Sequence, residues 1–174
     1  MKRFSILIIL FAIAHAGFSQ DDAISKFFGK YLDDERFTSV YVSGRMFEMF
    51  SEVAPGEGEE KEMQELTSQL KGLRILASEN IDGRKMYKEA TANLNGKGYE
   101  ELMRISEGSA EELKFLVKET NGTISELLML MGHDKNFFLM SIVGNIDLKK
   151  LSRLASNLNI QGMDQLKKLN ESQE

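Results

Sequence analysis

The chain has 174 residues, of which 42% are hydrophobic, and a formal net charge of −5. That length and apolar content suit one domain with a packed core. The acidic balance disfavours a nucleic-acid partner, because binding to phosphates depends on clustered lysine and arginine. The absence of cysteine excludes disulfides and a lipid-modified N-terminal cysteine.

The first 20 residues have the layout of a secretory signal peptide. Lys2 and Arg3 give a positive start, and residues 5–14 are almost wholly apolar before a stretch of small residues. The apolar run is about half of the roughly 20 residues that a membrane-spanning helix needs. Cleavage after Ala16 and cleavage after Ser19 both fit the small-residue rule, and an uncleaved N-terminal anchor is the alternative.

We therefore predict a signal peptide at 1–20 and a single α+β domain at 21–174. The signal peptide contains two basic and no acidic residues, so the remaining chain has a net charge of −7. We expect an exported protein, periplasmic or secreted, that is not a lipoprotein and has no stable membrane insertion after the signal is removed.

Four helices and two strands are predicted before residue 95. Apolar residues at helical spacing define the helices, whereas "FTSVYVSG" has the β-branched and aromatic residues of a strand. The proline-containing stretch 54–62 is a solvated loop, and Asp82-Gly83 is a turn. In chain order the elements are helix 21–32, strand 37–44, helix 45–53, helix 59–71, strand 73–80 and helix 84–94.

From Tyr99 onward the apolar period changes from 3.6 to 2, which predicts strands. Short connectors rich in Gly, Asn and Asp, above all Asn121-Gly122, predict hairpins. In the second run the apolar side chains alternate with Lys114 and Lys118, which predicts one buried and one solvated face. The last run is almost wholly apolar and is placed in the sheet centre or under the helices. The four runs are 99–106, 112–119, 123–131 and 136–144.

The segment from Gly144 to Asp147 is predicted to turn a strand into a helix. Gly144 permits the bend, and Asp147 precedes apolar residues spaced as one helical face at 148–158. An aspartate at that position caps free N–H groups and favours the positive end of the helix dipole. A binding role for Asp147 is the alternative. A second helix is predicted at 163–169.

The resulting fold class is α+β. A C-terminal four-stranded meander plus two earlier strands predicts a mostly antiparallel sheet, with helices packed mainly on one face.

The residues that could carry chemistry form no recognisable constellation. His133 is the one histidine beyond the signal peptide, and it lies in a predicted hairpin turn. With no cysteine, it cannot complete a tight zinc site. The acidic runs 33–35 and 57–60 lack the ligand spacing of a calcium loop. No phosphate-binding glycine loop or nucleophile elbow is present. We predict no catalytic, cofactor-binding or metal-binding residue, and no cofactor.

Ten methionines are more than usual. Met46 and Met49 share a predicted helix with Phe47 and Phe50. Methionine fills cores and also occurs on surfaces that bind varied partners. The helix at 45–53 is therefore either core or an exposed apolar patch.

The stretch from Tyr99 to Ser156 resembles a known family. Its segments "YEELM", "NGTISELLMLM" and "SIVGNIDLKKLSRLA" are similar to the domain-of-unknown-function family numbered 4252, exported proteins of Bacteroidota. The resemblance implies a single exported α+β domain. It implies no catalytic residue, because none is established for the family.

Three hypotheses for function follow. The first is a non-enzymatic envelope protein that binds an unknown protein partner or a small apolar ligand. The second is an envelope signalling or regulatory component that acts through a membrane partner. The third is a hydrolase that uses carboxylates or His133, which requires that residue to lie in a cleft beside acidic side chains.

Overall fold

The fold is a six-stranded antiparallel sheet with helices, which confirms the α+β prediction. The computed structural model describes residues 23–52, 59–107 and 111–149. The helices in this part of the chain are α1 (Ala23–Gly29), α2 (Gly44–Glu52), α3 (Glu59–Ser68) and α4 (Gly83–Leu94). The strands are β1 (Thr38–Ser43), β2 (Leu70–Ser78), β3 (Tyr99–Glu107), β4 (Glu111–Thr120), β5 (Thr123–His133) and β6 (Phe137–Ile146).

The strand order across the sheet is β1-β2-β6-β5-β4-β3. The predicted meander is therefore present as β3 to β6, and the two earlier strands add to its β6 side. β6 lies between β2 and β5, as its nearly uninterrupted apolar sequence predicted. The order leaves β1 and β3 as the two edge strands.

One side of the sheet, the α4 face, is covered by α1 and α4. Ile24 and Phe27 of α1 are almost completely buried, and Tyr87 and Ala90 of α4 are buried beside them. Their spacing of three or four residues places them on one side of each helix. The sheet residues in this cluster are Leu76, Leu116, Leu128, Leu130, Phe137 and Leu139.

The other side, the α3 face, has its own apolar cluster. Leu66 of α3 is 1% exposed, and Phe47 of α2 packs against the same cluster. Alternate residues of each strand point to opposite faces, so the buried strands β4 and β5 supply apolar residues to both. The strand residues buried here are Leu113, Phe115, Val117, Leu127, Met129, Met140, Ile142 and Ile146.

The helices are distributed more evenly than the sequence suggested. Helices mainly on one face were expected from a four-stranded meander with two earlier strands. Both faces carry helices because β5 and β6 are apolar on both sides, so each side needs cover.

Lys114 contradicts the expectation of a solvated face on β4. Its side chain is only 8% exposed, and its Nζ lies 3.2 Å from Glu101 Oε2. The same Nζ lies 5.6 Å from the centre of the Tyr87 ring. The ammonium group is buried between α4 and the sheet because an acidic partner and an aromatic ring compensate its charge.

The helix predicted at 59–71 ends earlier, at Ser68, and β2 begins at Leu70 rather than at residue 73. Leu70 is opposite Gly144 of β6, and the register shifts between Leu70 and Gly72. A Cβ atom on Gly144 would overlap the Gln69 carbonyl oxygen. Gly144 therefore permits close approach of two strands and does not form the predicted bend.

The corner at Asp147 has the predicted capping contact. β6 continues to Ile146, and the Asp147 carboxylate accepts a hydrogen bond from the Lys149 backbone N–H at 2.9 Å. Leu148 packs against the α3-face cluster. The remainder of the helix at 148–158 and the helix at 163–169 lie outside the described residues.

The β5–β6 turn is attached to the start of α4. The Asp82 side chain caps α4 by accepting the Lys85 N–H at 2.9 Å, so the predicted Asp82-Gly83 turn is the cap and first residue of a helix. The Gly83 N–H donates to the Asp134 carbonyl oxygen at 3.2 Å. A side chain at Gly83 would overlap the carbonyl oxygens of His133 and Asn136.

Candidate interaction surface at the β1 edge

The two edge strands differ in how they are protected against pairing with another chain. An edge strand exposes a row of unpaired N–H and C=O groups, and proteins usually block such a row with charges, proline or a bulge. Within the described residues, β1 pairs only with β2, and β3 pairs only with β4.

The β1 strand has none of these protections. Its sequence Thr-Ser-Val-Tyr-Val-Ser contains no charged residue and no proline. It pairs with β2 over six consecutive positions, from Thr38 opposite Ala77 to Ser43 opposite Gly72, without a bulge. Val40 is 39% exposed and Tyr41 is 63% exposed. The strand therefore presents a regular, uncharged edge with an aromatic side chain at its centre.

The β3 strand is protected. It carries Glu100, Glu101, Arg104 and Glu107, and a bulge interrupts its register between Glu101 and Met103. Arg104 donates two hydrogen bonds to the Glu101 carboxylate, at 3.0 and 2.7 Å. These hydrogen bonds hold the pKa of Glu101 below its ordinary value, and a smaller contribution in the same direction comes from the contact with Lys114. Charge and bulge together disfavour strand addition at this edge.

Tyr41 is held beside the edge by a neighbouring cation. The Arg74 guanidinium lies 5.5 Å from the centre of the Tyr41 ring. Arg74 also donates to the Ser25 hydroxyl of α1 at 2.6 Å. The contact joins the exposed ring to the α4-face side of the sheet, so Tyr41 is placed by residues of the fold.

The helix predicted at 45–53 continues the exposed apolar surface. It forms α2, directly after β1, and the Ser43 hydroxyl accepts the Met46 N–H at 3.3 Å. Phe47 packs inward, whereas Met46 and Met49 are 44% and 50% exposed. The helix is thus part core and part exposed patch, and the Phe50 side chain lies outside the described residues. We call Val40, Tyr41, Met46 and Met49 the β1–α2 surface.

A buried carboxylate on the α4 face has an architectural explanation. Glu126 of β5 is 5% exposed. The Tyr99 hydroxyl donates to its Oε2 at 2.7 Å, and the Ser141 hydroxyl donates to its Oε1 at 2.7 Å. These contacts connect β3, β5 and β6. A buried charge requires such donors, because an uncompensated one is costly.

Tyr87 is one of two residues in the described part of the chain, with Thr91, that have a buried side-chain oxygen without a hydrogen-bond partner. Its ring is 5% exposed, and its hydroxyl makes no hydrogen bond of ordinary distance and angle. Burial raises the pKa of Tyr87 above its ordinary value, and the negative charge of Glu112 adds a smaller effect in the same direction.

The structure does not bring the sequence-derived candidate residues together. His133 ends β5, half-buried, and its backbone exchanges hydrogen bonds with Asn136 at 2.9 and 3.1 Å. Asp147 follows β6 as a cap, exposed. In the acidic run 33–35, Asp34 forms a bidentate ion pair with Arg36. The Arg36 Nε and Nη2 atoms lie 2.9 and 2.6 Å from the two carboxylate oxygens. Residues 57 and 58 of the other acidic run lie outside the described residues.

Two shallow surface depressions adjoin at the start of α4. Their volumes are about 540 and 360 Å³, and both are lined by Asp82 and Asp134. The larger also contains Arg84, Lys85 and Lys88. Arg84 is paired with Asp134, and the Asp82 carboxylate caps α4, so three of the five side chains that line the larger depression are engaged in structural contacts.

Two features are absent from the described part of the chain. No cluster of three or more His, Asp or Glu side chains is placed to hold a metal ion there. No helix in the same ranges is long and apolar enough to cross a membrane.

The β1 half of the β1–α2 surface was not predicted from the sequence, whereas the α2 half was predicted as either core or an exposed apolar patch. The strand at 37–44 was recognised, but its edge position depends on long-range pairing that local pattern does not reveal. One signal in the sequence could have indicated the unprotected edge: the β1 sequence is uncharged, whereas the β3 sequence carries several charges.

The class that this fold defines is an antiparallel α+β sheet, in which, over the described residues, the β1 edge carries no charge, proline or bulge. Residues 31–154 match the family described as Domain of unknown function (DUF4252), and the chain belongs to that family. No curated protein and no solved structure matches the chain.

Proposed function

We propose that this DUF4252 protein is an exported, non-catalytic interaction domain that binds a polypeptide at its β1 edge. It acts in the periplasm or outside the cell. The observation that carries the proposal is the contrast between the two sheet edges: β1 is uncharged and regular, and β3 is charged and bulged.

A polypeptide partner suits this surface better than a small apolar ligand. The outer backbone groups of β1 pair with no other strand in the described residues, and an extended polypeptide supplies donors and acceptors at the matching spacing. Val40 and Tyr41 provide apolar contacts on either side of that strand, and the exposed methionines of α2 extend them.

The buried charges favour a non-catalytic role. Lys114 and Glu126 are engaged by Glu101, Tyr99 and Ser141, so each has a structural function. His133 lies at a strand end, in a backbone-bonded turn. Export is supported by the positive start, apolar run and small residues of the first 20 positions.

Site-specific photo-crosslinking tests the proposal. A photoreactive phenylalanine analogue is placed at Tyr41 on β1, and, as the matched control, at Glu100 on β3, in protein expressed from the full-length gene. Covalent adducts with a polypeptide are expected from position 41 in the envelope fraction and not from position 100. Absence of adducts from position 41, or equal adducts from both positions, would contradict the proposal.

A further inference from the structure

The partner at the β1 edge can be specified from the strand itself, and this step rests on the proposed function. We propose that β1 pairs with β1 of a second copy of this chain, antiparallel, to form a continuous twelve-stranded sheet across a two-fold axis at Tyr41.

Five of the six residues of β1 form a palindromic sequence. Residues 39–43 read Ser-Val-Tyr-Val-Ser, symmetric about Tyr41. Antiparallel self-pairing centred on Tyr41 therefore places serine opposite serine, valine opposite valine and tyrosine opposite tyrosine. A two-fold interface needs such self-complementarity, because each residue meets the symmetry-related copy of its own strand.

The faces of the two sheets agree in this register. Residues directly opposite one another in an antiparallel pair project to the same face. Tyr41 shares the α4 face with Arg74, its cross-strand neighbour. Pairing at Tyr41 thus stacks two exposed rings, each supported from its outer side by an Arg74 guanidinium.

Charge favours a second copy at this edge and at no other edge. Two molecules that each have a net charge of −7 after removal of the predicted signal peptide repel one another unless the touching surfaces are uncharged. β1 has no charged residue, whereas β3 presents Glu100, Glu101 and Glu107. The cations that flank β1, Arg36 and Arg45, are paired with Asp34 and Glu48 of the same chain.

The absence of cysteine makes a disulfide test direct. In the register proposed, Tyr41→Cys faces its own symmetry mate, so that this single variant forms a disulfide-linked dimer under mild oxidation. Val40→Cys and Val42→Cys face each other, so each alone links poorly and their mixture links well. Glu100→Cys on β3 is the control and stays monomeric.

A charged variant provides the second measurement. The wild-type chain, purified as the cells process it, is expected to sediment at about twice the monomer mass. Tyr41→Glu is expected to sediment as a monomer with an unchanged circular dichroism spectrum, because Arg74 accommodates the new carboxylate while two carboxylates repel across the axis.

The outcomes separate the two proposals. A monomeric wild-type protein, with no disulfide at position 41 and with photo-adducts to a different polypeptide, overturns the second-copy inference and leaves the interaction function intact. A disulfide from Val40→Cys alone that exceeds that from Tyr41→Cys overturns the register. No adduct of either kind at position 41 overturns both proposals.

Discussion

The guanidinium of Arg74 lies 5.5 Å from the ring of Tyr41, the most exposed large hydrophobic side chain in the described part of the protein. Arg74 is tied in turn to Ser25 of α1. An exposed aromatic ring on an edge strand is thereby oriented by the strand behind it. This arrangement connects the packing of the α4 face to the surface at which we place binding.

The Glu126 network should contribute measurably to stability. Ser141→Ala and Tyr99→Phe each remove one hydroxyl donor from a buried carboxylate, and we expect each to lower the free energy of unfolding by about 1–3 kcal/mol. Tyr41→Phe removes an exposed hydroxyl and should change it by less than about 0.5 kcal/mol. Urea denaturation measures all three, and equal stabilities for the three variants would contradict the assignment.

Gly83 should not tolerate alanine, although alanine is the better helix former. The new methyl group overlaps two carbonyl oxygens of the β5–β6 turn, so we expect Gly83→Ala to destabilise the protein by about 1–3 kcal/mol. Gly29→Ala, where nothing lies within 4 Å of the new Cβ, is the matched control and should be near neutral. Thermal denaturation compares the pair, and similar midpoints would refute the close approach.

The Asp34–Arg36 pair should give a defined acid dependence. Hydrogen bonds from Arg36 lower the pKa of Asp34 from 3.8 to about 2. Because the folded-state pKa is depressed, the stabilisation is fully present above pH 3.8 and is lost as the pH falls toward 2. Arg36→Gln should raise the Asp34 pKa toward its ordinary value in an NMR titration.

The control for that titration is Lys85→Gln, which changes the net charge equally. It should leave the Asp34 titration where it is in the wild type. An Asp34 pKa that stays near 2 in Arg36→Gln would show that Arg36 is not its cause.

Local sequence pattern predicted the fold because each element has a clear period. The helix at Ile24, Phe27 and Phe28 and the meander after Tyr99 both follow from spacing alone. The burial of Lys114 did not follow, because its compensation comes from Glu101 and Tyr87, which only the tertiary structure brings near.

The candidate surface was harder to predict than the fold. Edge position is a property of the whole sheet, and "TSVYVS" has the same pattern whether it is central or terminal. The sequence leaves open whether the methionines of α2 are core or surface residues, because their exposure depends on which side Phe47 occupies.

Amide hydrogen exchange on the two edge strands tests the central claim, that β1 is where this protein pairs. The account predicts that amides of residues 38–43 exchange more slowly in the assembled wild-type protein than in Tyr41→Glu, while amides of residues 99–107 exchange equally in both. Equal exchange on β1 in the two proteins, or slowing confined to β3, would contradict it.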